Sequence, residues 1–269
     1  MSETARRLDV SFHARPWGTS DLGPWFPKQE GQIGEVWLTS EPPLPLLVKF
    51  IFTTEALSVQ VHPSGEGGKT EMWYILDAVP GAALALGFRE PVTPARLRES
   101  AISGEILSLL DRREARKGDV IFVPGGAVHA LGPGLRLLEI QQNCDITYRL
   151  YDYNRGRPLH LDEGAAVALL GPAPPPPAVR RLDERRTLLA ACEYFVTELW
   201  EIQAPFSAPP PQGTSHILIA LEGAGTLNGE QYSPGEAWLI PNGTPVEVQP
   251  RAHSQMISTY APAKLGRLG

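Results

Sequence analysis

Cysteine is scarce in this 269-residue chain, which contains Cys144 and Cys192 and no CxxC pair. Two separated cysteines offer no disulfide framework and fit a reducing compartment. Long apolar runs are also missing: no stretch approaches the ~18 residues that span a bilayer, and the N-terminal MSETARRLDVSF lacks an apolar signal core. We therefore expect a cytoplasmic protein that does not enter a membrane.

An excess of basic charge is likewise absent. The chain has 24 Lys and Arg against 30 Asp and Glu, a formal net charge of -6, and no stretch concentrates basic residues without interspersed acids. This balance argues against a nucleic-acid-binding surface and against an anionic-membrane surface. A basic pocket inside an acidic protein can still bind a small anion. The composition leaves a monomer and a homodimer equally open.

Proline and glycine, in contrast, are abundant, with 27 Pro and 26 Gly. They separate short apolar runs such as GEVWLTS, LLVKFIF, LSVQVHP, EMWYILDA, DVIFVPGG and LRLLEIQQ. Short strands between frequent turns are typical of an all-β sandwich or barrel. Two helices are predicted to interrupt the strands: one begins at Pro94 after a Thr93 N-cap, and the other lies near Asp162 in EGAAVALL.

A proline-rich stretch, PAPPPPA at residues 172–178, is too rich in proline for a helix or a central strand. Such sequences form extended spacers. We therefore expect a linker there, between a first domain of residues 1–171 and a second domain of residues 179–269.

The second half repeats part of the first. GDVIFVPGGAVHAL, which begins at Gly118, aligns with GEAWLIPNGTPVEV, which begins at Gly235, and the glycines and prolines of the two turns coincide. The alignment places Val246 opposite His129. We therefore expect a duplicated barrel whose second copy lacks the polar residues of the first.

Polar side chains alternate along LSVQVHP. In a strand, Ser58, Gln60 and His62 face one side while the intervening valines face the other. In the following GKTEMWYIL, Lys69 and Glu71 are again two residues apart and share a face. A hairpin between the two strands would bring Glu71 beside His62.

A second histidine, His129, follows the VPGG turn, where a strand returns across a small barrel. Spacing alone leaves Gln60 and His62 equally open to a structural and a metal-binding role, but the addition of Glu71 and His129 favours a metal. Nitrogen and oxygen ligands of this kind suit Zn²⁺ or another borderline divalent ion. The candidate ligands are Gln60, His62, Glu71 and His129.

Six segments in order, GEVW, PLLVKF, LSVQVHP, GKTEMWYIL, GDVIFVPGGAVHAL and LEIQQNCDITYRLYDYNR, resemble phosphomannose isomerases of the short bacterial kind. The resemblance covers roughly residues 30 to 160. It implies an all-β fold of two cupin (jelly-roll) β-barrels with a few short helices, of which the first is catalytic and the second metal-free. It also implies one Zn²⁺ per chain on the four candidate ligands.

The family interconverts mannose 6-phosphate and fructose 6-phosphate by moving a proton between C1 and C2 through an enediol-type intermediate. The resemblance therefore implies a sugar phosphate as the small-molecule partner. It suggests Arg149 and Lys69 as a cationic pair at the reacting centre and Glu139 as an acid or base, and it leaves open which group takes the proton. The substrate-binding candidates are Ser58, Lys49, Asp145 and Arg155.

Two other functions are compatible with these residues. His62, Glu71 and His129 alone form a two-His, one-carboxylate set that could hold Fe(II) in a cupin oxygenase, although Gln60 on the same face argues against it. A non-catalytic sugar-phosphate-binding cupin is the other alternative. Residues 41–44 form a shorter connection than the resemblance implies, so we expect a helical lid or pocket insertion to be absent there.

Overall fold

The computed structural model describes residues 4–209 and 213–263. Antiparallel strands dominate these residues, and the helices among them are short. The all-β expectation is confirmed. No helix in the described part of the chain is both long and apolar enough to cross a bilayer.

The N-terminal part contains, in chain order, β1 (Arg6–Arg7), β2 (Asp9–Thr19), β3 (Ile33–Thr39), β4 (Leu46–Phe52), β5 (Val59–Val61), β6 (Glu71–Ala78), β7 (Ala83–Phe88), α1 (Pro94–Ser103), α2 (Ile106–Leu109), β8 (Leu110–Glu114), β9 (Val120–Val123), β10 (His129–Leu131), β11 (Leu135–Gln142), β12 (Tyr148–Tyr151) and α3 (Leu161–Val167). The C-terminal part contains β13 (Arg180–Arg181), β14 (Arg186–Ala191), β15 (Val196–Ile202), β16 (Phe206–Ala208), β17 (His216–Glu222), β18 (Gly225–Leu227), β19 (Glu230–Tyr232), β20 (Ala237–Ile240), β21 (Val246–Pro250) and β22 (Ser254–Tyr260).

Both expected helices form. Thr93 caps α1, because its hydroxyl accepts a hydrogen bond from the Arg96 N–H, and Pro94 occupies the first turn. α3 covers the expected EGAAV segment, with Asp162 and Glu163 in its first turn. The connection between β3 and β4 contains no helix, as the short 41–44 segment predicts.

The first barrel is a sandwich of two antiparallel sheets. One has the strand order β2-β3-β4-β11-β6-β9 and the other the order β12-β5-β10-β7-β8. Apolar side chains such as Ile51, Trp73 and Leu131 pack between them. On the outer side of the second sheet, Val59 and Val61 pack against the helices. The alternation predicted for LSVQVHP therefore forms as expected.

The second barrel has its own two sheets, with the orders β1-β20-β17-β22-β15-β14-β13 and β16-β21-β18-β19. Its interior is apolar and includes Trp200, Trp238, Val246 and Met256. The residue opposite His129 in the repeat, Val246, therefore serves as core. Strand β1 comes from the chain's N-terminal part, which therefore contributes one edge strand to the second barrel.

A shared core joins the two barrels. Alternate residues of β4, such as Val48 and Phe50, point away from the first barrel and pack in one cluster with Phe195, Ile217 and Ile257 of the second. Because both faces of this sheet are covered, β4, β6 and β11 read in the sequence as nearly continuous apolar runs. Residues 173–179 between the barrels form neither helix nor strand, and the domain boundary at 172–178 stays a prediction.

The repeated turns carry matching backbone conformations. Gly118 and Gly235 both have φ of 89°, and the paired Gly126 and Gly243 have φ of 89° and 80°. This left-handed region favours glycine, since a Cβ there crowds the following carbonyl. The shared glycines thus mark the same two turns, one before and one after β9 and β20.

Gly118→Ala and Gly235→Ala form a matched test of barrel packing. An alanine Cβ at Gly118 meets nothing within 4 Å, whereas at Gly235 it lies 2.3 Å from the backbone oxygen of Trp25. We expect Gly118→Ala to lower the free energy of unfolding by about 1 kcal/mol and Gly235→Ala by about 3 kcal/mol or more. Urea unfolding measures both, and equal losses would contradict the packing of Trp25 on this turn.

Candidate active site

Two rows of side chains enter the first barrel from its six-stranded sheet. Trp37, Lys49, Glu139 and Trp73 lie in register on β3, β4, β11 and β6. Since residues in register face the same side of a sheet, all four point into the barrel. Glu71 lies two residues before Trp73 and therefore faces the same interior.

A third row enters from the five-stranded sheet. Gln60 on β5 pairs with His129 on β10 and with Arg149 on β12. β5 and β6 belong to different sheets, so the hairpin expected between them does not form. His62 and Glu71 nevertheless meet, because they face each other across the barrel interior, with His62 Nε2 3.7 Å from Glu71 Oε2.

His62, Glu71 and His129 form a compact group of potential metal ligands. One ligand atom from each lies within 4.8 Å of the others, and His129 Nε2 is 3.5 Å from Glu71 Oε1. The Nδ1 atoms donate to backbone oxygens, that of His62 to Ile146 at 2.8 Å and that of His129 to Ala127 at 2.9 Å. An imidazole held this way presents an Nε2 lone pair, rather than an N–H, to the barrel interior, where a metal ion could bind it.

Both imidazoles are in the neutral form that binds metals. Burial lowers the pKa of His62 well below its usual value, and the positive charge of Lys69 lowers it further. Burial likewise lowers the pKa of His129 to about 4, despite its hydrogen bond to Ala127. Neutral imidazoles at neutral pH need no deprotonation before they coordinate a metal.

The carboxylate of Glu71 is the strongest sign of a metal. Its side chain is 0% exposed, and its Oε1 has no hydrogen-bond partner among the described residues. Lys69 Nζ lies 2.8 Å from Oε2 and supplies one positive charge. Buried carboxylates are ordinarily fully hydrogen-bonded or bound to a metal, so a divalent cation fits this donor set.

Gln60 lies beside the three ligands. Its Nε2 is 3.2 Å from His129 Nε2, and its Oε1 accepts a hydrogen bond of 3.3 Å from the Ser58 hydroxyl. A half-turn of the amide would exchange the two atoms and direct the oxygen toward the three ligands. Gln60 is therefore placed to be the fourth ligand.

Glu139 lies between two lysines. Its Oε1 is 3.7 Å from Lys49 Nζ and 3.8 Å from Lys69 Nζ, and Trp73 Nε1 donates to its Oε2 at 2.9 Å. Burial and the negative charge of Glu71 raise the pKa of Glu139, and the two lysines only partly offset them. A carboxylate with a raised pKa is suited to exchange protons near neutral pH.

Both lysines are paired with acids inside the barrel. Burial alone would lower the pKa of Lys69, but Glu139 and Glu71 outweigh it and raise that pKa. Lys49 Nζ bonds Asp145 at 2.7 Å and lies 4.4 Å from the centre of the Trp37 ring. Lys49 thus faces the interior, and the outward orientation that an apolar strand also allowed is not adopted.

A cavity of about 400 Å³ opens onto these residues. Among the predicted site residues, its lining includes Lys49, Ser58, Gln60, Lys69, Glu139, Asp145 and Arg149. The remaining three ligands lie buried behind it, in contact with Lys69 and Gln60. The structure therefore brings ten of the eleven predicted residues to one site.

Arg155 is the predicted residue that does not reach this cavity. Its guanidinium binds Glu55 at 2.9 Å and the Ala56 oxygen at 2.8 Å, which turns it to a different surface. Arg157 lines the cavity in its place. Both arginines lie in the NRGR segment, where Asn154 and Gly156 have positive φ and no regular strand fixes which face a residue takes, so sequence spacing could not separate them.

The sequence reasoning also missed an arginine and a tryptophan on β2. Arg15 and Trp17 line the cavity, and Arg15 binds both oxygens of Glu35 at 3.0 Å. Trp37 Nε1 donates to Glu35 at 2.8 Å. Burial opposes ionisation of Glu35, but Lys49 and Arg15 outweigh it and lower its pKa. The alternation of Arg15 and Trp17 in HARPW is the signal that could have revealed them.

Known proteins with similar sequences are mannose-6-phosphate isomerases. One from Streptococcus mutans is 34% identical over 219 residues, which is 74% of this chain and 68% of that protein. Mannose-6-phosphate isomerase ManA of Bacillus subtilis is 37% identical over 222 residues, 74% of this chain and 70% of that protein. No protein-family model matches the chain.

Solved structures show the same fold. The crystal structure of mannose 6-phosphate isomerase from Bacillus subtilis superposes with a TM-score of 0.86 at 24% identity, covering 96% of this chain and 100% of that one. A putative mannosephosphate isomerase from Archaeoglobus fulgidus superposes with a TM-score of 0.76 at 18% identity, covering 95% and 97%.

We expect His129→Ala to weaken metal binding and His216→Ala to leave it unchanged. His216 is a matched control, because it is also a buried histidine with a pKa lowered by burial to about 4, but it lies in the second barrel. Titration calorimetry of chelator-stripped protein with Zn²⁺ should show at least about 100-fold weaker binding by His129→Ala. Wild-type affinity in that variant would contradict the metal assignment.

Proposed function

The chain belongs to the mannose-6-phosphate isomerase family, and from this premise we propose that it interconverts mannose 6-phosphate and fructose 6-phosphate with a bound divalent metal ion. Zinc is the metal we propose, held by His62, Glu71 and His129 with Gln60 as fourth ligand. The observation that carries the proposal is the fully buried carboxylate of Glu71, which has one oxygen without a hydrogen-bond partner and lies between two neutral imidazoles at the base of a polar cavity.

The charges of the cavity support an anionic substrate. Among the described lining residues, the cations are Arg15, Lys49, Lys69, Arg149 and Arg157, and the acids are Glu35, Glu139 and Asp145. Glu71 and Asp152 lie behind this lining against Lys69 and Arg157 and balance the excess, so a bound divalent cation would leave the site positive within a protein of net charge -6. A concentrated positive field of this kind attracts a phosphorylated sugar.

The metal would contribute electrostatic stabilisation: a bound divalent ion polarises substrate oxygens and stabilises negative charge that develops on them. The chain's own residues prepare the site for that role. Hydrogen bonds to the Ile146 and Ala127 oxygens fix the two imidazoles, so their Nε2 atoms converge on the carboxylate of Glu71. Lys69 keeps a positive charge at the same point in the barrel.

Glu139 is the residue we assign to the proton transfer. Its carboxylate would take the proton from C2 of the aldose, leaving an enediol-type intermediate, and return it to C1 to give the ketose, while a proton moves between the two oxygens. Lys69 and Lys49 flank Glu139 and stabilise the negative charge that passes between substrate and carboxylate. Trp73 holds the second oxygen of Glu139 in place.

We expect purified protein to convert mannose 6-phosphate to fructose 6-phosphate, to lose this activity after chelation and to regain it with Zn²⁺. The physical reason is that removal of the cation takes away the charge that would polarise the substrate oxygens. A coupled spectrophotometric assay measures turnover. Activity that survives complete chelation would contradict the metal dependence, and no turnover with any divalent metal would contradict the isomerase itself.

Glu139→Gln should lower kcat by about 10²–10⁴-fold, because the amide cannot accept a proton. Ionised Glu139 is the active form, so kcat/KM should fall as the pH drops through the pKa of this group. Because that pKa is raised, the fall should occur at a higher pH than for an ordinary carboxyl group, and it should vanish in the variant. Metal content, measured by atomic emission, should stay at the wild-type level.

Glu35→Gln is the matched control for this substitution. Glu35 also lines the cavity and also accepts a hydrogen bond from a tryptophan, but its pKa is lowered and it is paired with Arg15. We expect Glu35→Gln to cost less than about tenfold in kcat. Equal losses in the two variants would refute the specific role of Glu139.

A further inference from the structure

A backbone oxygen orients the candidate metal ligand His62. The Ile146 oxygen accepts a hydrogen bond from Nδ1 of His62 at 2.8 Å, and the Nε2 atom of the same ring lies 3.7 Å from Glu71. Ile146 belongs to the loop of residues 143–147 and is 47% exposed, so packing of its side chain in the core does not fix the carbonyl. Other contacts of the loop must therefore hold this oxygen in place.

Side chains hold the loop at three points, which are Asn143, Cys144 and Asp145. Asn143 and Asp145 are exposed, so water competes for the contacts that they make. The contact at Cys144 differs, because its donor is Nε2 of Gln141, and Gln141 is 0% exposed. A buried side chain thus fastens the middle of the loop.

Gln141 faces the interior of the first barrel beside the candidate metal ligands. On β11 it lies two residues after Glu139, whose carboxylate faces the cavity, and it is in register with Glu71 on β6. Residues two apart on a strand, and residues in register on neighbouring strands, share a face of the sheet. Gln141 therefore extends from the row that contains Glu71 to the loop that orients His62.

Both hydrogens of the Gln141 amide are used. Nε2 donates to the Cys144 oxygen and, at 3.1 Å, to the Gln142 oxygen. Exchange of the two amide atoms would set Oε1 against two carbonyl oxygens, so these bonds fix the orientation of the amide. Oε1 is consequently buried, and nothing in residues 4–209 and 213–263 donates a hydrogen bond to it.

The unpaired Oε1 destabilises the folded chain, since a buried acceptor loses its hydrogen bonds to water without replacement. A methionine of similar length would fill the same space and bury no such atom. Packing therefore does not explain a glutamine at this position. The hydrogen bonds that its Nε2 donates to the backbone of the loop do explain it.

We propose that Gln141 is a positioning residue for His62. Its amide fixes the backbone at Cys144, which holds the Ile146 oxygen two residues later within reach of Nδ1. Without this contact the oxygen moves away, His62 adopts both neutral tautomers, and its Nε2 lone pair is no longer kept toward Glu71. The proposal rests on the metal site of the proposed function and deepens it by identifying what holds one ligand in place.

Gln141→Met tests the proposal, with Thr53→Val as a matched control. Thr53 is also a buried polar residue of the first barrel that ties a turn to the sheet, since its hydroxyl donates to the Gly132 oxygen at 2.8 Å and accepts from the Leu135 N–H at 2.9 Å. Leu135 begins β11, whereas Gln141 lies near its end. Both substitutions remove hydrogen bonds at similar side-chain volume.

We expect chelator-stripped Gln141→Met to bind Zn²⁺ about 10–100-fold more weakly than wild type in titration calorimetry. The visible absorption spectrum of the Co²⁺-loaded variant should also differ from that of wild type, because the ligand geometry changes. Thr53→Val should keep the wild-type spectrum and affinity while its Tm falls by about 2–4 °C. A lower Tm in both variants with wild-type zinc affinity in both would show that Gln141 is merely structural.

The tautomer of His62 in metal-free protein gives a readout that needs neither zinc nor turnover. Two-bond proton–nitrogen NMR correlations of isotope-labelled histidine distinguish the two neutral forms. We expect the proton on Nδ1 in wild type and a mixture of both forms in Gln141→Met. If wild type binds no divalent metal while the tautomer changes in this way, the proposed function fails and the inference stands. If wild type binds Zn²⁺ and the variant keeps both its affinity and its tautomer, the inference is wrong.

Gln141→Asn keeps the proposal testable should the methionine variant fail to fold. Asparagine retains the amide but is one methylene shorter, so its donors fall short of the Cys144 oxygen. We expect the same loss of zinc affinity and the same mixture of His62 tautomers. A folded Gln141→Asn protein with wild-type affinity and a single tautomer would overturn the proposal.

Discussion

The burial of one carboxylate governs the organisation of the first barrel. Glu71 is fully enclosed, and water cannot stabilise its charge, so the surrounding residues must. Lys69 is drawn to within 2.8 Å of it, and two imidazoles held neutral by burial complete its surroundings. The field of Glu71 also reaches Glu139 and contributes to its raised pKa. The candidate metal ligands and a carboxylate of raised pKa thus arise from the same electrostatic constraint.

Two carboxylates on the same sheet show how local charge assigns different roles to one residue type. Glu35 and Glu139 each accept a hydrogen bond from a tryptophan and each face the cavity. Glu35 has Arg15 on both oxygens and its pKa falls, whereas Glu139 shares its cations with neighbouring acids and its pKa rises. These opposite pKa shifts distinguish Glu35, a fixed anion, from Glu139, a group able to exchange protons.

Sequence reasoning predicted the all-β fold, both helices that it proposed and the residues that meet at the site, because strand alternation is local and forces every second side chain into the barrel. It failed where position depends on tertiary structure. Nothing local distinguishes a hairpin from strands in opposite sheets, as for His62 and Glu71. Arg155 and Arg157 are two residues apart, and Arg155 is drawn away from the cavity by Glu55, which lies 100 residues earlier in the chain.

The loop of residues 143–147 contacts both a candidate metal ligand and the wall of the cavity. Its Ile146 oxygen fixes the His62 imidazole, and its Asp145 carboxylate binds Lys49 in the cavity wall. The Asn143 side chain anchors the loop to the Leu44 oxygen at 2.8 Å, in the short connection that contains no helix. Because no lid covers the site from that connection, this braced loop itself forms the rim. A movement that displaced Asp145 from Lys49 would therefore also disturb the hydrogen bond that orients a metal ligand.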